Sequence, residues 1–495
     1  MIFIPMKNLF YFLILVMATG CVAGKNYNPS KKFGPDELKE DFSIFRNMLE
    51  ESHPGLYWYT SKDSMDYYFE SAASKITDSM PEYKFRNILS YVVSKIRCGH
   101  TSIRPSKNAQ RFASRTRSYG LPLSIKAWPD TAVISFGLKD SQVIRGVVLT
   151  AIENKPVQTI IDSFFNHLST DGYNTTHKYQ VLSNGGNFRN LYSSIYGLKP
   201  KMKIDFIDHE GKEKSEMIEV YHPSKDTPQV RRSTPKISKK ERKKRALNST
   251  RSLIIDTAKG VAIMEINSFS KNMKIRKFLR HSFRDLKKLN IRNLVVDFRG
   301  NGGGNVVLSN LLTRYLARQR FKIADSIYSI RSKSSYRKYI DDYLQIRLFH
   351  IFMTKKEADG KFHFRHYENK YFKPRKKNHF DGDIYILTGG NTFSAATLVT
   401  KTLRDQENVL VIGEETGGGA YGNTAWLIPE VELPHSRVRF RLPLFRLVID
   451  KNEEKGRGII PHIISEPTVD DIRRNADFKM EKVMQIINDK KNENL

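Results

Sequence analysis

The sequence predicts an α/β protein with a largely parallel sheet in its C-terminal half. One observation predicts this class, and a second predicts how the rest of the chain is divided. After about residue 253, continuous apolar runs of strand length alternate with runs of helical spacing, and repeated strand–helix–strand order is the pattern of a parallel sheet. Before that point, residues 35–118 have helical spacing, and residues 119–222 hold mainly short runs typical of strands. We therefore expect an N-terminal helical unit, a β-rich middle unit and an α/β core.

The first two units follow from their own periodicities. In "PDELKEDFSIFRNMLEES" the apolar residues recur every three or four positions, and a second helix is predicted in "MPEYKFRNILSYVVSKI". In the middle unit "LPLSIKAW", "TAVISFG", "VVLTAIEN", "KMKIDFID" and "SEMIEVY" are predicted strands. The stretch "IRGVVLTAIENKPVQTIID" resembles the part of a PDZ domain where a strand leads through a tight turn into a helix. This unit is therefore expected to be PDZ-like.

The core alternates strands with helices. "GVAIMEINSF", "IRNLVVDFRG", "GDIYILTGG" and "NVLVIGEE" are predicted strands, and "MKIRKFLRHSFRDLKKL", "NVVLSNLLTRYLARQ" and "SAATLVTKTLRD" are predicted helices. Sites in such sheets gather at the carboxyl ends of the strands. "FRGNGGGN" and "GGNTFS" each follow a strand, so we expect them to face one crevice.

The N-terminus predicts export. "MIFIPMKNLFYFLILVMATGC" has a lysine and then an apolar run too short to span a bilayer, which is typical of a signal peptide. The end of this run resembles a bacterial lipoprotein signal, in which Cys21 is lipidated and anchors the chain to a membrane. The alternative is an ordinary secretory peptide cut near Ala23. Cys98 is the only other cysteine, so no intramolecular disulfide is expected once Cys21 is modified.

The composition is strongly basic. The formal net charge is +31, and "SKDTPQVRRSTPKISKKERKKRALNST" is almost free of apolar residues, which predicts a linker or exposed loop over residues 223–250. A basic chain can bind anions, but no motif of a nucleic-acid-binding fold is present, and no nucleic-acid partner is expected. His281, His363 and His366 form no metal-binding motif, so no metal is expected either.

The glycine-rich segment "DFRGNGGGN" connects a strand to a helix. It lacks the Gly-Lys-Ser/Thr of a phosphate-binding loop, and the dinucleotide pattern would need glycine at Asn305. Bare backbone N–H groups at a helix N-terminus can hold an oxyanion as well as a phosphate. The segment is therefore a candidate oxyanion hole, with a tight structural turn as the alternative.

Ser394 lies between the segment "GDIYILTGGNTF", which contains a predicted strand, and the next predicted helix. It could simply cap that helix, which is the usual role of a lone serine there. As a nucleophile it would need a base and an oxyanion hole. His100 in "CGHTSI" is a candidate base, although a lone histidine is more often structural.

Four segments resemble those of a known protein family. "VVDFRGNGGGN", "LTGGNTFSAA", "VIGEETGGG" and "GRGIIPHI" occur in the order and at roughly the intervals of the S41 family of serine peptidases, which comprises C-terminal processing peptidases and tricorn-like proteases. The resemblance covers about residues 260–465. "HPGLYWY" and "CGHTSI" also resemble segments of bacterial lipoprotein members. The resemblance implies a crotonase-like core, an S41 peptidase activity without a cofactor, and a protein or peptide substrate.

The resemblance also implies roles for single residues. Ser394 would be the acylated nucleophile, with the N–H groups of Ala395 and of Gly302 or Gly303 as the oxyanion hole. Processing peptidases use a lysine 25 residues after the serine, where this chain has Gly419. Tricorn-like members use a histidine from an earlier domain, which His100 matches.

The chain departs from the tricorn-like pattern at two further points. Gly99 replaces the serine that precedes the histidine, and His462 replaces an aspartate after Pro461. A late glutamate completes the relay in the family. The direct alignment puts Lys455 there, so Glu454 is the predicted third member, followed by Glu453 and Glu415.

The expected activity is hydrolysis of peptide bonds in the bacterial cell envelope, by an endopeptidase or processing peptidase held in the periplasm or at the outer membrane. The alternatives are a weak or inactive relative that binds peptides or hydrophobic ligands, and an esterase or amidase. The expected units are a signal peptide (1–21), a tether (22–34), a helical domain (35–118), a PDZ-like domain (119–222), a linker or loop (223–250), an S41 core (251–470) and a C-terminal helix (471–495).

Overall fold

The structure is a computed structural model that describes residues 27–116, 120–221 and 237–493. The expected signal peptide, the predicted lipidation site Cys21 and the first part of the predicted tether lie outside these ranges. Within the described ranges, no helix is both long and apolar enough to cross a bilayer.

The N-terminal unit is mainly helical. Its first helix begins at Pro35, where the missing N–H costs nothing, and the Glu37 carboxylate accepts the Gly34 N–H at 2.9 Å. The helices are α1 (Pro35–Ser52), α2 (Lys62–Ala73), α3 (Glu82–Ile96) and α4 (Lys107–Arg115), and the strands are β1 (Lys32–Phe33), β2 (Met80–Pro81) and β3 (Ser102–Arg104).

The middle unit is a twisted antiparallel sheet covered by helices. Alternate residues of one strand, Met202, Ile204 and Phe206, are buried, as the two-residue period of a half-buried strand requires. The elements are β4 (Ser124–Trp128), β5 (Thr131–Phe136), β6 (Val148–Ile152), β7 (Lys155–Pro156), α5 (Val157–Phe165), α6 (Thr176–Ser183), α7 (Asn187–Tyr196), β8 (Lys201–Ile207) and β9 (Glu213–Glu219). The sheet order is β4-β5-β6-β8-β9, with β7 beside β6.

The remaining elements form the core. In chain order they are α8 (Lys239–Asn248), β10 (Arg251–Asp256), β11 (Val261–Ile266), α9 (Ile275–Lys288), β12 (Asn293–Asp297), α10 (Val306–Leu316), β13 (Ser326–Ser329), α11 (Tyr343–Met353), β14 (Lys355–Lys356), β15 (Phe362–His363), α12 (Arg365–Glu368), β16 (Asp383–Thr388), α13 (Ala395–Arg404), β17 (Val409–Gly413), β18 (Gly422–Ala425), β19 (Glu430–Glu432), β20 (Arg439–Arg441), β21 (Phe445–Val448), β22 (Ile463–Ile464), α14 (Val469–Arg474) and α15 (Phe478–Glu493).

The central sheet has the order β10-β11-β12-β16-β17-β22 and is parallel from β11 to β22, so the α/β prediction is confirmed. Asp297 at the end of β12 pairs with Leu387 near the end of β16. The loops that follow these strands therefore leave the sheet side by side. This register brings the glycine-rich turn and Ser394 to one edge.

Two smaller antiparallel sheets flank the central one. The order of the first is β14-β15-β13-β21-β18, and that of the second is β19-β20-β3. In the second sheet Phe440 of the core pairs with Ile103 of the N-terminal unit. One hydrophobic cluster joins α1, α2 and α3 to β18–β21, whereas the middle unit has a cluster of its own.

Two segments differ from the sequence-based expectation. The predicted linker holds α8, whose first turn is capped by the Ser238 hydroxyl accepting the Glu241 N–H at 3.1 Å. None of its residues is buried, so no apolar periodicity marked it. The expected C-terminal helix is two helices, since Asn475 adopts a left-handed conformation (φ 55°) that ends α14.

Candidate active site

Ser394 lies in a strained turn between β16 and α13. Its φ of 53° and ψ of −119° are unusual for a residue with a side chain and typical of backbone strain stored at functional sites. Its hydroxyl makes no capping hydrogen bond to the first turn of α13. The side chain is half-buried, and it borders an open cavity. The geometry therefore favours the nucleophile interpretation over the capping one.

The glycine-rich turn packs directly against Ser394. A Cβ atom on Gly303 would lie 2.7 Å from the Ser394 Cβ and 3.0 Å from the Ala395 nitrogen, and Gly303 has a φ of 97°. Asn301 joins the two loops, because its carbonyl accepts the Phe393 N–H at 2.9 Å. Only glycine at position 303 permits this approach.

The backbone N–H groups near Ser394 differ in their availability. Ala395 is the first residue of α13, so its N–H has no acceptor within the helix. The Gly303 N–H instead donates to Asn301 Oδ1 at 2.8 Å. Gly302 is exposed, and a Cβ atom added to it would meet open space. Gly304 borders the cavity with Ser394, and the hydrogen bonds that tie this loop to Phe269 use the Gly303 carbonyl and the Asn305 N–H. Gly304 thus fits the second donor better than the predicted Gly302 and Gly303.

The cavity beside Ser394 has a volume of about 510 Å³ and mainly apolar walls. Aromatic and aliphatic side chains from α11, α13, α12 with the residue before it, and the segment after β18 line the cavity; they include Phe349, Phe364, Tyr367, Leu398, Trp426 and Leu427. Trp426 adopts a φ of 73°, which is a rare conformation for a bulky residue. The shape and lining suit a large apolar side chain.

His100 is buried in the turn between α3 and β3. Its ring lies over the ring of Phe393, the neighbour of Ser394, with 5.0 Å between ring centroids. Neither ring nitrogen has a hydrogen-bond partner among the described residues, so the structure has no direct bond from His100 to the Ser394 hydroxyl. His100 therefore lies next to the serine turn but does not yet engage the nucleophile.

Asp171 is the carboxylate beside His100. Its Oδ1 lies 3.9 Å from His100 Nδ1, and it is nearly fully buried. Oδ1 accepts the Gly99 N–H at 2.9 Å, and Oδ2 accepts the Gly419 N–H at 3.2 Å. These bonds fix the carboxylate next to the imidazole.

Two glycines at which the chain departs from the patterns of family members, Gly99 and Gly419, take part in this packing. A Cβ on Gly99 would lie 2.4 Å from the Phe393 ring, so a serine does not fit there in this arrangement. Gly419, at the position of the family lysine, uses its backbone N–H to hold Asp171. Both glycines thus support the His100–Asp171 pair.

Burial dominates the electrostatics of this pair. It lowers the pKa of His100 to about 3, with a further lowering from the charges of Arg441 and His177. It raises the pKa of Asp171 to about 6, against the opposing effect of its two backbone hydrogen bonds. At neutral pH the pair is a neutral imidazole beside an ionised carboxylate, which is the state that a general base requires.

The structure does not bring the predicted glutamates to His100. Glu454 is exposed, Glu453 pairs with Lys401 at 3.0 Å, and Glu415 pairs with Arg457 at 2.9 Å. Asp171 therefore replaces Glu454 as the candidate third member. The loop after β21 supplies surface ion pairs rather than a relay carboxylate.

Sequence reasoning missed Asp171 and also His177. The two lie in "TDGYNTTHKY", which follows the predicted helix of the middle unit and contains no recognisable motif. His177 Nδ1 donates to the Gly390 carbonyl at 2.7 Å, and its ring lies 4.9 Å from that of Phe393. The two histidines thus flank Phe393, and His177 orders the loop that carries Ser394. No spacing rule marked either residue, because the fold alone brings them to the site.

One cluster offers ligands of the kind that metal ions prefer. Cys98, His100 and Asp171 each present one ligand atom, and the three atoms lie within 4.8 Å of one another. All three residues are buried.

Comparison with known proteins agrees with this geometry. Residues 260–465 match the model of peptidase family S41. No curated protein matches the sequence. Among solved structures, mature CPAF is similar, with 15% identity and a TM-score of 0.62, and the alignment covers 92% of this chain and 98% of CPAF. The same coverage is found for CPAF complexed with lactacystin (14% identity, TM-score 0.60) and for a CPAF mutant (15%, 0.63). At these identities the likeness establishes a shared fold.

Proposed function

We propose that this chain, whose residues 260–465 match the model of peptidase family S41, hydrolyses peptide bonds through an acyl-enzyme on Ser394. The observation that carries the proposal is the strained Ser394 turn pressed against Gly303 at the wall of an apolar cavity. A strained serine at a strand-to-helix turn, next to free N–H groups, is what acyl transfer requires. The core is proposed to be crotonase-like and the middle unit PDZ-like.

In the proposed mechanism His100 takes the Ser394 proton, and the serine oxygen attacks the peptide carbonyl. The Ala395 and Gly304 N–H groups hold the oxyanion, and one such donor typically contributes about 2.7–4 kcal/mol to transition-state stabilisation. Asp171 stabilises the imidazolium that forms. His100 then protonates the leaving amine, and water hydrolyses the acyl-enzyme.

His100 must approach Ser394 for this mechanism to operate. Catalytic hydrogen bonds often tighten only when substrate binds. The Phe393 ring lies against His100, so a small movement of this ring accompanies the approach. A substrate side chain that fills the neighbouring cavity would favour it.

The cavity indicates the preferred substrate. We propose a polypeptide with a large apolar side chain beside the scissile bond, since the Ser394 side chain borders the aromatic cavity. The proposed location is the bacterial cell envelope, with a lipid on Cys21 as the membrane anchor.

A fluorophosphonate probe tests the nucleophile directly. The purified chain should be labelled at Ser394, and the label should be absent from the Ser394→Ala variant. Peptides with a central phenylalanine or leucine should be cleaved and those with alanine should be cleaved more slowly. Labelling of a different serine would overturn the assignment.

The second candidate is a binding protein without hydrolytic activity. The observation that favours it is that neither His100 ring nitrogen has a hydrogen bond to any described residue. It predicts that apolar peptides bind at the cavity while the probe leaves Ser394 unlabelled in folded protein.

A further inference from the structure

The cluster of Cys98, His100 and Asp171 is assembled by the fold rather than by a sequence motif. Cys98 and His100 belong to the turn after α3, and Asp171 comes from the loop between α5 and α6. The Asp171 carboxylate is fixed by two backbone N–H groups and faces His100 Nδ1 at 3.9 Å. The three ligand atoms lie within 4.8 Å of one another, so one ion can contact all of them after small side-chain movements.

The unpartnered imidazole is the second observation that points to a ligand. His100 is only 5% exposed, and neither of its ring nitrogens has a hydrogen-bond partner in the described residues. Buried polar atoms are normally satisfied, and an unsatisfied one requires an explanation. The Ser394 hydroxyl can satisfy only one of the two nitrogens.

The donor set selects the ion. A thiolate, an imidazole and a carboxylate are the ligands of zinc sites, and the hard oxygen-preferring cations Ca²⁺ and Mg²⁺ do not use a thiolate. Ligand atoms around tetrahedral zinc are about 3.3–3.8 Å apart, which follows from Zn–ligand bonds of about 2.0–2.3 Å. The separation of 3.9 Å between His100 and Asp171 is close to this value.

We propose that Cys98, His100 and Asp171 form a Zn²⁺ site that switches the peptidase off. Cys98 Sγ now makes a weak contact of 3.5 Å with the Thr424 carbonyl, which it gives up on binding, and its thiol proton leaves to solvent. The charges of the thiolate and the carboxylate balance those of the dication. Zinc then occupies a His100 nitrogen and holds the imidazole beside Asp171, away from Ser394.

Metal binding and inhibition are separable. Binding depends only on the three ligands, whereas inhibition rests on the proposed role of His100 as the base. Cys98 has no part in the proposed mechanism, so its substitution should remove the metal and leave peptide cleavage intact. Cys21 is the only other cysteine and provides a matched control.

Co²⁺ serves as a spectroscopic probe of the site in the full-length protein. Wild type and the Cys21→Ser variant should bind one Co²⁺ and show a thiolate-to-cobalt charge-transfer band, which Zn²⁺ should displace. The Ser394→Ala variant should show the same band, so an error in the proposed function would not hide the site. The Cys98→Ser and Cys98→Ala variants, with folding checked by circular dichroism, should lack it. A band that survives in both Cys98 variants, or no band in wild type, would overturn the proposal.

Inhibition is measured by peptide cleavage or by fluorophosphonate labelling at increasing Zn²⁺. In the Cys98→Ser variant half-inhibition should need more Zn²⁺ by on the order of tenfold or more, while the Cys21→Ser variant should match wild type. Equal sensitivity of the Cys98→Ser variant and wild type would mean that zinc acts at another place.

Discussion

At the scale of single residues, Ser394 combines chemistry with strain. A left-handed backbone at a non-glycine residue costs about 1–3 kcal/mol, and the packing of the Gly303 turn maintains it here. Both Ser394→Ala and Ser394→Gly should abolish peptide cleavage. The glycine variant should be the more stable of the two by about 1 kcal/mol, because glycine adopts this φ without strain.

Urea unfolding of the two variants, followed by circular dichroism, measures this difference. Equal stabilities would show that the turn is not strained. The comparison is a control in itself, since both variants lack the hydroxyl and differ only at the Cβ.

The ionisation of the Asp171 carboxyl group predicts how the proposed reaction depends on pH. Its pKa is raised to about 6 by burial, so the carboxylate is ionised above that pH and neutral below it. His100, with a pKa lowered to about 3, stays neutral through the same range. An ionised Asp171 stabilises the imidazolium, so kcat/KM should fall as the pH drops through about 6.

The Asp171→Asn variant tests this assignment. Its kcat should be lower by on the order of a hundredfold or more, and its acid limb near pH 6 should be absent, which a purely structural role would not produce. The Glu454→Gln variant is the matched control and should keep both the rate and the pH profile of wild type. The reverse result would restore Glu454 as the third member.

These residues also show which parts of the candidate site could be predicted from the sequence. Ser394 and the glycine turn were predictable because both follow strands whose apolar runs are unmistakable. Asp171 was not, because it lies in a loop of the middle unit, and no local spacing connects that loop to His100. Glu454 was predicted because it is the neighbour of the aligned residue Lys455, but its side chain is exposed to solvent. Alignment along the chain did not show which way this loop faces.

At the scale of elements, α15 is attached to the carboxyl end of the central sheet by a buried ion pair. Lys479 contacts the Glu414 carboxylate and donates to the Thr388 carbonyl at 3.0 Å, and both side chains are largely buried. The Lys479→Met variant would leave Glu414 buried without its partner. Removing one member of a buried pair typically costs about 3–5 kcal/mol.

Thermal and denaturant unfolding should therefore show a large loss of stability in Lys479→Met. The Lys491→Met variant, on an exposed position of the same helix, should change little. A double variant that also carries Glu414→Gln should regain part of the loss. If both single variants behave alike, the pair does not anchor α15.

The central strands β11, β12, β16 and β17 were predictable in type and order, since they are largely buried and read as continuous apolar runs. The edge strand β10 was not predicted, and none of its residues is buried. The predicted loop at α8 was wrong because that helix has no apolar face at all, and its charged residues gave the same signal as a linker. The helix α8 could not be predicted from periodicity, because none of its residues is buried.

At the scale of the whole molecule, the N-terminal helices share one hydrophobic cluster with β18–β21 of the core, whereas the central sheet has clusters of its own. Leu89 of α3 and Phe440 of β20 are fully buried in the same cluster, whereas Ile204 of β8 belongs to the separate cluster of the middle unit. The predicted boundary near residue 118 is therefore also a boundary in packing, whereas the N-terminal helices pack with β18–β21 of the core, which are far away in sequence.

Hydrogen exchange tests this division. Leu89→Ala should cost about 2–5 kcal/mol and speed exchange in both the N-terminal helices and β18–β21. Ile204→Ala should cost a similar amount but speed exchange mainly within residues 121–220. Exchange confined to α1–α3 in the first variant would mean that the N-terminal unit folds on its own.

The candidate site takes one side chain from each of three distant parts of the chain: His100 from the N-terminal unit, Asp171 from the middle unit and Ser394 from the core. A nascent chain that has released only the first two parts holds a base and its carboxylate but no nucleophile. The core without the earlier parts holds a nucleophile but no base. In the proposed mechanism, cleavage can therefore begin only after all three parts have been made and have packed together, so an incomplete chain is expected to be inactive.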